Sequence, residues 1–353
     1  MMLGAAAIFL MLAPSFETLS KQAMEARDAK RLDEALGFYQ KALQLKPDWD
    51  EGWWYAGSIG YDQDKYAECA PAFRRLTELK PELTPAWTMS GLCEYSMHNY
   101  DAALKSFGQT ERLGFQEPAE LAATSRLHFA LVLTKTGSFE KAITVLGELI
   151  SIGKTTPEIS VAAGIAGFRK NWLPSEVPEA SREMVMKLGD AMTTAMEKDS
   201  SRAVAKFETA AREYPAEANI HFRFGAFLMK DSSEKGIAEI NQALALEPSH
   251  TPALVGLTMI DLKRQQPQNA RGYAERAVKA SPGDFATHVA LGTVLLALDA
   301  AAEAAKELET AVALAPDSSQ ARFSLAAAYL KLGRTKDAEQ QRGEFERLKG
   351  RFQ

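Results

Sequence analysis

The sequence predicts an all-α solenoid of stacked helical hairpins, and three observations carry that prediction. A step of 34 residues relates Pro47 to Pro81, Trp53 to Trp87, Ala35 to Cys69 and Ala103, and Tyr39 to Phe73 and Phe107. The step returns late in the chain in Pro248, Pro282 and Pro316 and in Ala270, Ala304 and Ala338, with Pro215 to Pro248 one residue shorter. Within a period, apolar residues such as Leu291, Leu295 and Leu298 stand four and three apart, on one face of a helix. A fixed period of this length marks stacked supersecondary units, none of which can bury its apolar face alone.

The first element, residues 1–15, is of another kind. Leu3 to Ala13 is an uncharged run of 11 residues followed by Pro14 and Ser15. A membrane-spanning helix needs about 20, so the run reads as the apolar core of a secretory signal with small residues near Ala13 for cleavage. No Lys or Arg precedes it. Export to a periplasm or envelope is the expectation, and a cytoplasmic protein whose first helix starts apolar is the alternative.

From residue 16 the period gives nine repeats, at about 16–49, 50–83, 84–117, 123–156, 184–217, 218–250, 251–284, 285–318 and 319–352. They group into four repeats over 16–156 and five over 184–353, with a non-repeating insert, 157–183, between them. Each repeat reads as two short helices. In the eighth, Leu291, Leu295 and Leu298 stripe the first helix, Ala300–Glu303 is the expected turn, and Leu308, Ala311, Val312 and Ala315 stripe the second. Pro316 then stops it, because proline has no N–H to donate and disfavours helix in the residue before it. Gly57, Gly91, Ala130, Gly225 and Gly292 are expected where helices cross and a bulky side chain must enter. The third repeat has Gly114-Phe115 in place of its proline, and the fourth also lacks one.

The pattern of Trp53, Gly57, Tyr61, Cys69, Phe73 and Pro81 resembles the tetratricopeptide repeat (TPR) family, and the resemblance covers most of residues 16–353. It implies a right-handed superhelix whose concave side is lined by the first helix of each repeat, where peptide segments bind. Carried onto matching positions, the early repeats contribute Trp54, Tyr61, Leu92, Tyr95, Leu127 and Leu131 to such a groove. Later repeats contribute Met192, Met196, Phe222, Met229, Met259 and Leu262, with Leu296 and Phe323 beyond them. Methionine adapts to varied apolar partners, and aromatic residues dominate binding hot spots. The family's clamp for a partner's terminal carboxylate is not recognisable, since Ser20-Lys21 and Met24, then Trp54-Tyr55 and Ser58, stand where its Lys and Asn would.

The insert holds an expected short helix, Glu158–Ala166, and an aromatic stretch from Phe168 to Pro178 whose paired prolines exclude regular helix. Trp172 and Leu173 are expected to pack at the junction of the two arrays, or to contact a ligand as loops often do. In the final helix Gln341 and Arg342 interrupt the apolar stripe, the polar face a capping repeat needs.

Chemistry is sparse. The chain has 41 Lys and Arg against 46 Asp and Glu, with no basic surplus on either side of residue 183, so a broad nucleic-acid-binding surface is not expected. Gly147 stands one residue too far before Gly153-Lys154-Thr155 for a phosphate-binding loop. His98, His128, His221, His250 and His288 share no metal-ligand spacing, and His221 and His288 occupy the repeat position of Trp53 and Trp87. Cys69 and Cys93 lack a C-x-x-C spacing and read as small buried residues. The insert offers Arg169, Lys170 and Glu176 as the residues a catalytic reading would need. The expectation is a non-catalytic protein, without metal or cofactor, that binds a protein or peptide. The competing expectation is a structural subunit of a bacterial envelope or export assembly acting through other faces.

Overall fold

The computed structural model describes residues 14–115, 119–153, 155–229 and 234–349, so the apolar run Leu3–Ala13 and Lys154 lie outside the described residues. The described residues form 19 α-helices and one short 3-10 turn, with no strand among them. They fall into two compact units divided between Thr136 and Gly137, inside the span read as the fourth repeat.

In the first unit α1 (Phe16–Asp28) pairs with α2 (Leu32–Leu45), α3 (Asp50–Asp62) with α4 (Tyr66–Leu79), and α5 (Thr84–Ser96) with α6 (Tyr100–Leu113). Helix α7 (Ala119–Lys135) packs on α5 and α6. The second unit opens with α8 (Phe139–Ile152) and α9 (Pro157–Gly167). Five hairpins follow: α10 (Glu179–Met196) with α11 (Ser200–Glu213), α12 (Ala218–Leu228) with α13 (Glu234–Leu246), α14 (Thr251–Lys263) with α15 (Pro267–Ala280), α16 (Phe285–Ala297) with α17 (Ala301–Leu314), and α18 (Ser319–Lys331) with α19 (Thr335–Lys349). The first helices α10, α12, α14, α16 and α18 also contact one another in sequence, so they form one wall.

Three local devices explain the period. The first is a knob. A Cβ on Gly57 would lie 2.7 Å from the Phe73 ring, one on Gly91 2.7 Å from the Phe107 ring, and one on Gly292 2.5 Å from Leu308. In each case a large side chain on the second helix fills the space left by a missing side chain on the first. The second device is the turn. Lys30, Asp64, His98, Lys198, Gln265 and Asp299 all take left-handed backbone conformations, with φ between 57° and 65°. After Lys30, Asp64, His98, Gln265 and Asp299 the next residue donates back to the helix, as Lys65 N to Gly60 O at 2.8 Å and Ala300 N to Leu295 O at 2.9 Å, the Schellman closure. The eighth turn is therefore shorter than the sequence suggested, and α17 has begun by Ala301.

The third device is a side-chain donor to the proline carbonyl. Trp53 Nε1 donates to Pro47 O at 2.9 Å and Trp87 Nε1 to Pro81 O at 2.9 Å. His221 Nε2 meets Pro215 O at 3.1 Å, His288 Nε2 meets Pro282 O at 2.9 Å, and Arg322 Nε donates to Pro316 O at 2.9 Å. Where the equivalent residue is Leu254, with nothing to donate, Arg276 reaches the Pro248 carbonyl from α15 at 2.9 Å. The two histidines turn their other ring nitrogen to a carboxylate on the second helix, Glu239 and Glu307, both at 2.7 Å.

One sequence expectation is corrected. Cys69 on α4 and Cys93 on α5 are buried, as expected, but they are joined in a disulfide whose Cα atoms lie 6.0 Å apart. The 34-residue period hid this pairing, because Cys69 stands where Ala35 and Ala103 stand and resembles one more small core residue. The insert holds the short helix and the stretch without regular helix that its sequence predicted. Helix α9 runs to Gly167 and α10 starts at Glu179, leaving only the segment between them irregular. Helices α9 and α10 approach so closely that a Cβ on Gly164 would collide with the Val185 carbonyl, and one on Gly189 with the Ser160 carbonyl. Leu173 is buried and Trp172 half-buried. Glu176 accepts from Leu173 N at 2.8 Å and closes the 3-10 turn. In α19 Arg342 is exposed and Gln341 accepts from Arg322 at 2.9 Å.

Candidate functional site

The second unit encloses a cavity of about 1130 Å³, lined by the first turn of α8 and by α12, α14 and the start of α16. Its apolar walls come from Phe222 on α12 and Met229 just after it, Val255 and Met259 on α14, and Phe285 on α16. The small residues Ala226, Gly256 and Ala286, at three different repeat positions, leave the volume open. Adjacent first helices present equivalent positions to the same side, which is why residues from three repeats converge here.

One end of the cavity is charged. Glu140, in the first turn of α8, receives a bidentate pair from Arg223 at 2.8 and 2.9 Å and a third bond from Arg169 at 2.7 Å. Arg223 is 8% exposed and also donates to the Gly167 carbonyl at 3.3 Å. Packing opposes ionisation of Glu140, but the charges and bonds of Arg223 and Arg169 outweigh it and hold the carboxyl below its ordinary value. Burial lowers the Arg169 guanidinium against the pull of Glu140. His250, the N-cap of α14, accepts from Ala253 N at 3.2 Å and lies 5.1 Å from the Phe222 ring. Burial, reinforced by the nearby charges of Arg169 and Arg223, pushes it down to about 4.

Of the residues expected to line a groove, the cavity brings together Phe222, Met229 and Met259. Met192 is buried in the α9–α10 seam, where a Cβ on Gly167 would lie 2.6 Å from its sulfur. Met196 is half-buried, and Leu262 and Leu296 pack against the core of the last hairpins. In the first unit Leu92 and Leu131 are buried and Leu127 is half-buried. Trp54 sits edge-on to Phe73 at 5.5 Å, Tyr61 to Tyr66 at 5.8 Å, and Tyr95 to His128 at 4.8 Å. Phe323 is exposed beside Phe345, with ring centroids 5.5 Å apart. Sequence reasoning missed Val255, which shares the register of Phe222, and Phe285, which shares that of no residue it chose; it also missed Glu140 and Arg223, which are 83 residues apart and carry no common signal, and it named Arg169 only for a catalytic reading.

Among the described residues no group of three His, Cys, Asp or Glu side chains is placed to hold a metal ion, and no helix is long and apolar enough to cross a membrane.

Residues 191–349 match the family described as the middle TPR-like domain of cilia and flagella-associated protein 70. No curated relative matches the chain. Among solved structures, residues 41 to the end of MamA from Desulfovibrio magneticus RS-1 are 17% identical, with a TM-score of 0.42, covering 47% of this chain and 95% of that one. MamA AMB-1 is 19% identical with a TM-score of 0.40, covering 46% and 98%. The Cut9–Hcn1 hetero-tetramer of the APC/C matches at 12% identity and a TM-score of 0.42, covering 96% and 88%.

Proposed function

We propose that this chain is a TPR-like scaffold that binds a polypeptide segment in the apolar cavity of its second unit. The observation that carries the reading is the convergence of Phe222, Met229, Val255, Met259 and Phe285, from three successive repeats, around one open volume rather than one closed core. A wall of stacked first helices is stiff, so the ordering cost of binding falls mainly on the partner. Sulfur and aromatic surfaces suit a variable apolar partner.

The scaffold works, in this reading, outside the reducing cytosol. The apolar run Leu3–Ala13 supports export, and the buried Cys69–Cys93 bond supports it independently, because such bonds persist in oxidising compartments. Sequencing the amino terminus of protein taken from its native cell tests this, and a retained Met1 on a cytosolic protein would overturn it.

For the binding reading, a photo-reactive residue at Met259 should capture a polypeptide that the same probe at exposed Gln268 on α15 does not, and Val255→Glu should abolish the capture. Equal capture from both positions, or capture unaffected by Val255→Glu in a chain of unchanged helicity, would overturn it.

A further inference from the structure

The last hairpin, α18 with α19, leaves open a face that is covered in the hairpin before it. Val289 and Leu296 on α16 pack against α18, Val289 beside Ala321 and Leu296 in the core that holds Leu325 and Tyr329. Val289 is 2% exposed. The residues 34 positions later on α18 are Phe323 and Leu330, which are 58% and 47% exposed. Phe345 lies beside Phe323, with ring centroids 5.5 Å apart, and does not cover it.

On α19 the same face is charged. Leu308 and Val312 on α17 belong to the cores that α17 shares with α18. Arg342 and Glu346 stand 34 residues later, both exposed and, among the described residues, both without an ion-pair partner. Glu344 and Arg347 beside them are bonded to each other. Arg342 precedes Glu346 by one turn, the order in which opposite charges on one helix support each other least. A terminal repeat stays soluble through a polar outer face. Helix α19 meets that requirement and α18 does not.

Two copies laid end to end about a two-fold axis that runs across the helices would stack α18 on α18 and α19 on α19, each pair antiparallel. Arg342 of each copy then faces Glu346 of the other, twice by symmetry. A parallel arrangement would set each charge against its own kind, so the charges select the antiparallel one. Arg322 donates to Gln341 at 2.9 Å, which puts Phe323 at the height of Arg342 on the neighbouring helix. The two Phe323 rings therefore meet near the axis and cover each other. A Cβ on Gly343 would meet nothing within 4 Å, so the backbone of α19 is open to close approach there.

We propose that this end face is a contact between two copies of the chain, closed by Phe323 near the two-fold axis and set in register by Arg342 and Glu346. It uses no residue that lines the cavity, so it stands apart from the binding reading.

Sedimentation equilibrium of the full chain across the micromolar range should show a monomer–dimer equilibrium that stops at two copies. Phe323→Asp should abolish the dimer, and the exposure of that side chain keeps the substitution away from the core. Arg342→Glu and Glu346→Arg each bring like charges together twice and should weaken the dimer at least about tenfold. The double variant Arg342→Glu/Glu346→Arg restores opposite charges and should return to within about threefold of the wild type. Phe323→Cys should link to its own copy on oxidation, since Cys69 and Cys93 are already paired with each other. A monomer at every concentration would overturn the proposal. So would a dimer indifferent to Phe323→Asp, which is held elsewhere in the chain, or a double variant no tighter than the single ones. Association that runs beyond two copies, or that Phe323→Asp abolishes although Phe323→Cys does not link to itself, would make the contact head-to-tail and overturn the two-fold arrangement.

Discussion

Gly57→Ala and Gly37→Ala are the same substitution in helices of the same unit, and the structure assigns them opposite signs. A Cβ on Gly57 would meet three atoms of the Phe73 ring at 2.7, 2.9 and 2.9 Å. That ring is fully buried and flanked edge-on by Trp54 at 5.5 Å, so it has little room to rotate away. Overpacking of a tight core costs about 1–3 kcal/mol, against a gain of about 1 kcal/mol for replacing glycine in a helix. With three contacts inside van der Waals range the steric cost should sit at the upper end, giving a net loss of about 2 kcal/mol. A Cβ on Gly37 in α2 meets nothing within 4 Å, so there only the backbone term operates and stability should rise by about 0.5–1 kcal/mol. Urea unfolding followed by far-ultraviolet circular dichroism compares the midpoints. The double variant Gly57→Ala/Phe73→Leu should recover part of the loss, because the smaller side chain yields space to the new methyl. A Gly57→Ala midpoint at or above that of Gly37→Ala would refute the knob as the reason for glycine at this step of the period.

Three further outcomes follow from single contacts. The Cys69–Cys93 bond closes 24 residues, so reduction should destabilise the first unit by about 3 kcal/mol and leave the second unchanged; alkylation of both thiols in unreduced, denatured protein would show that the bond is absent. His250, with a folded pKa of about 4 against an ordinary 6.5, is neutral in the fold. The unfolded chain binds more protons between those values, so stability of the second unit should be complete above about pH 6.5 and fall by up to ~3 kcal/mol as pH drops towards 4. His250→Asn keeps a capping acceptor and should flatten that slope, and an NMR midpoint for His250 near 6.5 would contradict it. Finally, His288→Phe should cost about 1–3 kcal/mol in thermal unfolding by removing the ring nitrogens that meet the Pro282 carbonyl and Glu307, whereas His288→Trp should recover part of it through its indole N–H.

The hairpins were legible in the sequence because their determinants recur. Helix faces, proline stops and the glycine knobs each appear several times at one step, so a pattern seen at Trp53, Gly57 and Phe73 is checked at Trp87, Gly91 and Phe107. What occurs once was not legible. Glu140 and Arg223 meet across 83 residues, and neither stands out in its own helix. The glycine pair Gly164 and Gly189 resembled ordinary small residues, although it permits the close seam of α9 and α10. The disulfide was concealed by regularity itself, since a cysteine at an alanine position satisfies the period as well as alanine does and carries no mark of its partner.

The donors to the proline carbonyls sharpen what a repeat position requires. Tryptophan, histidine and arginine differ in shape and charge, yet at one step of the period each presents an N–H to the carbonyl of the proline six residues earlier. When Leu254 breaks the series, Arg276 on α15 restores the bond from outside. The requirement is therefore a donor at a place and not a residue type, since a different side chain meets the proline carbonyl from one repeat to the next. The same reasoning explains why the cavity lies beside the insert. In a regular array each first helix is covered by its own second helix and its neighbours, and little polar surface needs outside help. Helix α9 packs instead against α10, and its last residue offers the Gly167 carbonyl to Arg223 on α12. Arg223 can then be buried only because the insert and α8 bring it acceptors. The break in periodicity thus creates both the need for a charged cluster and the means to satisfy it.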